Sequence, residues 1–155
     1  MTRALVLAVV ASVVLPFTAR AQSKPDFSGT WTLDTARSDA PLGRGGRGGR
    51  GGGTGPATIV QDAASLKITR GEQTLTYKLD GSDSTNKVMG RGGEATDQVS
   101  KASWSGDKLV IKTTLANGER TQTVSLVGGK LTIESVQPGR DGGPGTPMTT
   151  TYTKK

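Results

Sequence analysis

The stretch KLVIKTTLANGERTQTVSLVGGKLTIESV, residues 108–136, decides the fold. Asn117-Gly118 and Gly128-Gly129 are both two-residue hairpin signals, and they separate three runs in which apolar residues alternate with polar ones. With Asn117-Gly118 as a turn, Leu115 lies opposite Arg120, Thr113 opposite Gln122, Ile111 opposite Val124 and Leu109 opposite Leu126. Gly128-Gly129 independently sets Leu126 opposite Leu131, Val124 opposite Ile133 and Gln122 opposite Ser135. Both turns select the same inner face, which a one-residue slip would turn outward. The three runs are therefore consecutive antiparallel strands of a meander.

The pattern extends upstream. A turn at Gly71-Glu72 brings Ile68 opposite Leu75 and Leu66 opposite Tyr77. In the run 94–104, Thr96, Gln98, Ser100 and Ala102 share the face of Trp104, and 84–89 is the weakest strand pattern. Ten strands are predicted, near 30–35, 57–62, 65–70, 73–79, 84–89, 94–104, 108–116, 119–127, 130–136 and 148–154. Such a set could form a sandwich, but a meander closes most simply into a barrel, which removes exposed strand edges. The expected fold is all-β, an antiparallel up-and-down barrel of eight to ten strands.

The chain enters this barrel at Asp26-Phe27-Ser28-Gly29-Thr30-Trp31-Thr32-Leu33-Asp34. Gly29 makes a tight turn and Trp31 supplies a large ring, so Gly29 and Trp31, with Tyr152 on the final strand, are expected to serve structure by closing the barrel. Before it, Arg3, the apolar run Ala4 to Leu15, Pro16 and the small-residue pattern Ala19-Arg20-Ala21 have the order of a secretory signal. Residues 1–21 are expected to be removed after Ala21, leaving 22–155 as one domain in the periplasm or outside the cell, with no transmembrane anchor. A monomer is expected.

Composition narrows the chemistry. The chain has no cysteine, hence neither disulfide nor lipid-attachment thiol, and no histidine, the commonest general base and metal ligand. No spacing of Asp and Glu suggests a metal site or an acid–base pair. No catalytic residue, metal or cofactor is expected. The run Gly43 to Gly53, interrupted by Arg44, Arg47 and Arg50, cannot build a packed element, so residues 43–55 are expected to be a flexible loop.

The entry Phe27-Ser28-Gly29-Thr30-Trp31-Thr32-Leu33 resembles the Gly-x-Trp start of the calycins, which include lipocalins, fatty-acid-binding proteins and lipocalin-like secreted bacterial proteins of unknown function. The second half, from Gly106-Asp107-Lys108-Leu109-Val110 through Gly129-Lys130-Leu131-Thr132-Ile133-Glu134 to Tyr152, is similar to the fatty-acid-binding pattern. That resemblance implies a lipocalin-like barrel. It also implies where a carboxylate clamp would sit: an inner arginine on the eighth strand and an Arg-x-Tyr pair on the last. Aligned from the turn before Lys130, the first position holds Val124 and the pair reads Thr150-Thr151-Tyr152. Only the tyrosine matches, and the Gly/Arg loop stands in place of that family's helical lid.

In an up-and-down barrel alternate connections share an end. That would gather all eight arginines beyond residue 21 at one rim. Arg44, Arg47, Arg50, Arg91 and Arg140 fall in its loops, joined by Arg37, while Arg70 and Arg120 flank its turns. Arginine's planar fork suits phosphate, sulfate and carboxylate. Arg120 is aimed inward near the mouth beside Gln122, where it either meets a ligand's head group or reaches out to water.

Two functions fit these patterns. One is the binding of a small apolar or amphipathic molecule, with Leu66, Ile68, Leu75, Tyr77, Trp104, Leu109, Ile111, Thr113, Leu115, Gln122, Val124, Ile133 and Ser135 as lining and Arg120 near the mouth. The other is a non-catalytic structural or interaction domain whose Gly/Arg-rich loops contact anionic envelope polymers or lipids. Nucleic acid is a poor partner, because the Arg-Gly-Gly run has no interleaved aromatics.

Overall fold

The structure, a computed structural model, describes residues 24–39, 55–89, 93–139, 143 and 145–155. The expected leader 1–21 and all of the Gly/Arg-rich stretch but Gly55 lie outside them. Ten strands follow in chain order: β1 (Gly29–Leu33), β2 (Ala57–Gln61), β3 (Ser65–Arg70), β4 (Gln73–Lys78), β5 (Asp83–Met89), β6 (Ala95–Ser105), β7 (Lys108–Leu115), β8 (Gly118–Val127), β9 (Lys130–Val136) and β10 (Pro147–Lys154). They form one antiparallel sheet in the order β4-β3-β2-β1-β10-β9-β8-β7-β6-β5. The weak pattern at 84–89 is a strand, because its inner positions are polar yet buried: Ser84 and Asn86.

Register follows the turns with one correction. Leu126 pairs with Leu131, Val124 with Ile133, Ile68 with Leu75 and Leu66 with Tyr77 as expected. Across β7 and β8, however, Leu109 faces Val124, Ile111 faces Gln122, Thr113 faces Arg120 and Leu115 faces Gly118. The two-residue connection is Ala116-Asn117, not Asn117-Gly118. A turn of the expected type needs positive φ at both central residues, and Asn117 does not take it. Gly118 alone carries the unusual backbone, at φ +138°, where a Cβ would press on Pro138 at 3.1 Å. The slip is two residues, so the inner face is unchanged.

Closure is by side chains as well as by backbone. β1 pairs with β10 and joins the first and last strands, but β4 and β5 stand at the two ends of the sheet order without a ladder between them. Inner residues of β5 bridge this seam. The Thr76 N–H donates to Asn86 Oδ1 at 2.8 Å, Asn86 Nδ2 donates to the Thr76 carbonyl at 3.0 Å, and the Lys78 N–H donates to Ser84 Oγ at 2.8 Å. Carboxamide and hydroxyl thus supply the partners that an absent ladder would leave missing. The barrel is nearly closed rather than fully laddered.

Strand direction alternates with chain order, so the strand ends flanking 34–56, 71–72, 90–94, 116–117 and 137–146 share one end of the barrel. We call it the mouth. The other end, at 62–64, 79–82, 106–107 and 128–129, is filled. Phe27, Trp31, Leu66, Leu79, Ala102, Leu109 and Leu131 are buried there. Phe27 stacks on Trp104 with ring centroids 5.7 Å apart and 13° between planes, and Trp31 Nε1 donates to the Phe27 carbonyl at 2.8 Å. Gly29 sits at φ +141°, and a Cβ there would collide with the Lys154 side chain, whose ammonium lies 5.5 Å over the Trp31 ring. Glycine, tryptophan and lysine therefore form one packed floor.

Candidate functional site

Above this floor the barrel is hollow. A cavity of about 270 Å³ occupies the mouth half, enclosed on its apolar side by Ile68, Leu75, Val88, Met89, Ile111, Val124 and Ile133. Its polar lining is Arg70, Gln73, Tyr77, Gln98, Arg120 and Gln122. A wider groove adjoins it, sharing Arg70, Gln73 and Met89 and adding Glu72, Thr74 and Lys87. The groove is lined from β4 and β5, on either side of their seam, and from the β3–β4 turn.

Strand alternation explains who is inside. Leu66, Ile68 and Arg70 share the inner face of β3; Gln73, Leu75 and Tyr77 share that of β4; Arg120, Gln122 and Val124 share that of β8. Of the residues the sequence pointed inward, Ile68, Leu75, Tyr77, Ile111, Arg120, Gln122, Val124 and Ile133 meet around the cavity. The rest lie elsewhere. Leu66 and Leu109 are in the filled floor, and Trp104 stacks on Phe27 with Lys24 over its ring. Thr113 is fully buried and shares a hydrogen bond of 2.9 Å with Ser100. Leu115 and Ser135 are half-buried and off the cavity wall. Alternation assigns a face, whereas depth depends on the tilt and stagger of the closed barrel, which these residues do not encode locally.

Arg70, Gln73, Val88, Met89 and Gln98 complete the wall. Arg70 is the consequential one. Sequence reading placed it as a flank of the rim; the structure turns it inward, as its parity with Leu66 and Ile68 already signalled. Its Nη2 donates to the Tyr152 hydroxyl at 3.0 Å, and its guanidinium carbon lies 5.3 Å from the centre of that ring. Tyr152 therefore does more than close the barrel, because it fixes the direction of a cation.

The electrostatics are one-sided. Among the described residues no Asp or Glu lines the cavity, and neither Arg70 nor Arg120 has a carboxylate within ion-pair distance. The Nε atoms of both are buried and have no hydrogen-bond partner among the described residues. Tyr77 lies between opposing influences: burial pushes its hydroxyl above the usual phenol value, outweighing the pull of Arg120 and Arg70 in the other direction. It stays a neutral donor. Arg44, Arg47, Arg50, Arg91 and Arg140 lie outside the described residues.

No protein-family model matches the chain, and no curated protein sequence does. Solved structures do. Zebrafish ileal bile acid-binding protein complexed with cholic acid is 20% identical, with 83% of this chain and 98% of that one covered at a TM-score of 0.55. A mutant of the fatty acid transporter REP1-NXSQ is 13% identical, over 83% and 97% of the two chains at a TM-score of 0.58. The wild-type fluorescent protein UnaG is 17% identical, over 83% and 97% at 0.53. The fold is a calycin barrel of the fatty-acid-binding type. At these identities the likeness establishes the fold alone. Within the calycin barrel, Val124 and Thr150 occupy the places where the resemblance puts that group's arginines. Here Arg70 reaches Tyr152 from β3 instead, and Arg120 enters from β8 four residues before Val124.

Proposed function

We propose that this chain binds, without chemistry, one small amphipathic molecule in the mouth half of the barrel, and that it does so outside the cytoplasm. The observation that carries the reading is the cavity of about 270 Å³, whose apolar wall of Ile68, Leu75, Ile111 and Val124 also carries Arg70 and Arg120. An apolar body would gain about 25 cal/mol for each Å² removed from water, and the polar lining would set its orientation. The filled floor limits the body to a compact one. The titles of the structural neighbours, a bile-acid-binding protein and a fatty acid transporter among them, support the same class of ligand. The leader-like residues 1–21 support the location.

Native mass spectrometry on protein recovered from its own host, with displacement of a lipophilic fluorescent dye, tests the binding. One ligand per chain, displaced in competition with the dye, is the expected result. A protein that neither carries a molecule nor takes up the dye would overturn the reading. Export is checked separately, by an N-terminus at Gln22 in the exported protein.

A further inference from the structure

Resting on the reading that the cavity holds a ligand, we propose that the ligand's head group is a tetrahedral oxyanion of nearly two charges, such as a phosphomonoester, held jointly by Arg70 and Arg120. Both side chains line one cavity, and the Nε–H of each is buried with no acceptor among the described residues. A buried donor without an acceptor is costly, and more so when it belongs to a cation. Among the described residues no carboxylate lies within ion-pair distance of either guanidinium, and none lines the cavity; Glu72 lines only the adjoining groove. The missing partner is an acceptor that enters from outside.

Two guanidinium groups set the size of that acceptor. Each presents a planar edge that matches a pair of oxygens. A carboxylate has two oxygens and one charge, enough for one fork. A phosphomonoester has three terminal oxygens and a charge of about −1.5 to −2 at neutral pH, which suits both forks and balances both cations. The arrangement is prepared in advance. Tyr152 engages Arg70 through Nη2, with the guanidinium carbon 5.3 Å from its ring centre, and so fixes the side chain while its Nε–H has no partner among the described residues. The Tyr77 hydroxyl, kept neutral by burial, and the Gln122 amide can add donors to the remaining lone pairs. Both arginines are near the mouth ends of their strands, with Leu75, Ile111 and Val124 farther in. The head group therefore sits toward the mouth and the apolar body toward the floor.

Isothermal titration of the wild-type chain with a matched series, octyl phosphate, octanoate and 1-octanol below their aggregation ranges, separates the possibilities. The expected order is octyl phosphate tighter than octanoate by about tenfold and tighter than 1-octanol by about a hundredfold. Octyl phosphate should also gain affinity between pH 5 and pH 7.5, as its second proton leaves near pH 6, while octyl sulfate should not. In Arg120→Met the affinity for octyl phosphate should fall at least about tenfold, with 1-octanol unchanged. Octanoate bound as tightly as octyl phosphate would overturn the doubly charged head group. Equal affinity for 1-octanol and octyl phosphate would overturn any anionic head group while leaving the ligand reading intact. Binding of none of the series would count against the ligand reading itself. The wild-type panel decides among these even if the variant fails to fold.

Discussion

The two ends of this barrel are built from one repeating pattern and do opposite things. At the floor, inward positions carry Phe27, Trp31, Leu66, Leu109 and Leu131, which fill the space and, among the described residues, leave no buried side-chain polar atom unpaired: even the Trp31 indole is bonded to the Phe27 carbonyl. At the mouth, the same inward parity carries Arg70, Gln73, Gln98, Arg120 and Gln122, which leave a cavity and two buried donors with no partner among the described residues. The floor is arranged for stability and the mouth against it. Residues that cost stability and are nonetheless held in place mark a site with another purpose.

The contrast is broken most severely by Trp31→Ala. The ring is 1% exposed, so its loss should cost about 3–5 kcal/mol, measured by urea unfolding followed by the circular dichroism of the sheet. A loss below 1 kcal/mol would mean the floor is not where the fold is held. Asn86→Ala tests the seam between the two halves of the sheet. It strands both the N–H and the carbonyl of Thr76, and should cost about 1–3 kcal/mol while accelerating hydrogen exchange at the amide of Thr76. Unaltered exchange there would show that β4 and β5 are held by something else. Arg120→Met should run the other way. Removing a half-buried cation whose Nε–H has no partner among the described residues should leave the unfolding free energy unchanged or raise it by up to about 1 kcal/mol, in contrast to any truncation at the floor.

A smaller effect concerns pH. Asp34 accepts a hydrogen bond of 2.9 Å from Lys130 Nζ, and this bond, more than the nearby charges of Lys130 and Arg37, holds its carboxyl below the usual value. A carboxyl with a lowered folded-state pKa adds stability above its unfolded pKa, and that contribution disappears as pH falls through the folded one. Urea midpoints compared at pH 7 and pH 3 should therefore drop less in Asp34→Asn than in the wild type. An identical drop would remove Asp34 from the acid response.

Most of the fold was legible because period-2 alternation and turn glycines are local signals. Gly128-Gly129 and Gly71-Glu72 set their registers correctly, and the misplaced turn at Asn117-Gly118 did no harm to the face assignment because the slip was two residues. The seam was not legible. Ser84 and Asn86 look like a poor strand until they are seen serving the backbone of β4 across the gap. The site was legible by face and not by depth, which is why Leu66, Trp104 and Leu109 were expected in the wall yet lie in the floor. Arg70 had the right parity and was overlooked because its place beside a turn suggested a rim. Its partner Tyr152 lies 82 residues away, a pairing that only closure of the barrel creates.

The claim that the mouth binds and the floor does not can be read in one spectrum. In a ¹⁵N-correlated titration with octyl phosphate, the Nε–H resonances of Arg70 and Arg120 should move together, while the indole N–H of Trp31 stays where it is. Movement of the Trp31 indole with both arginine resonances unchanged would place the ligand in the floor and contradict the account.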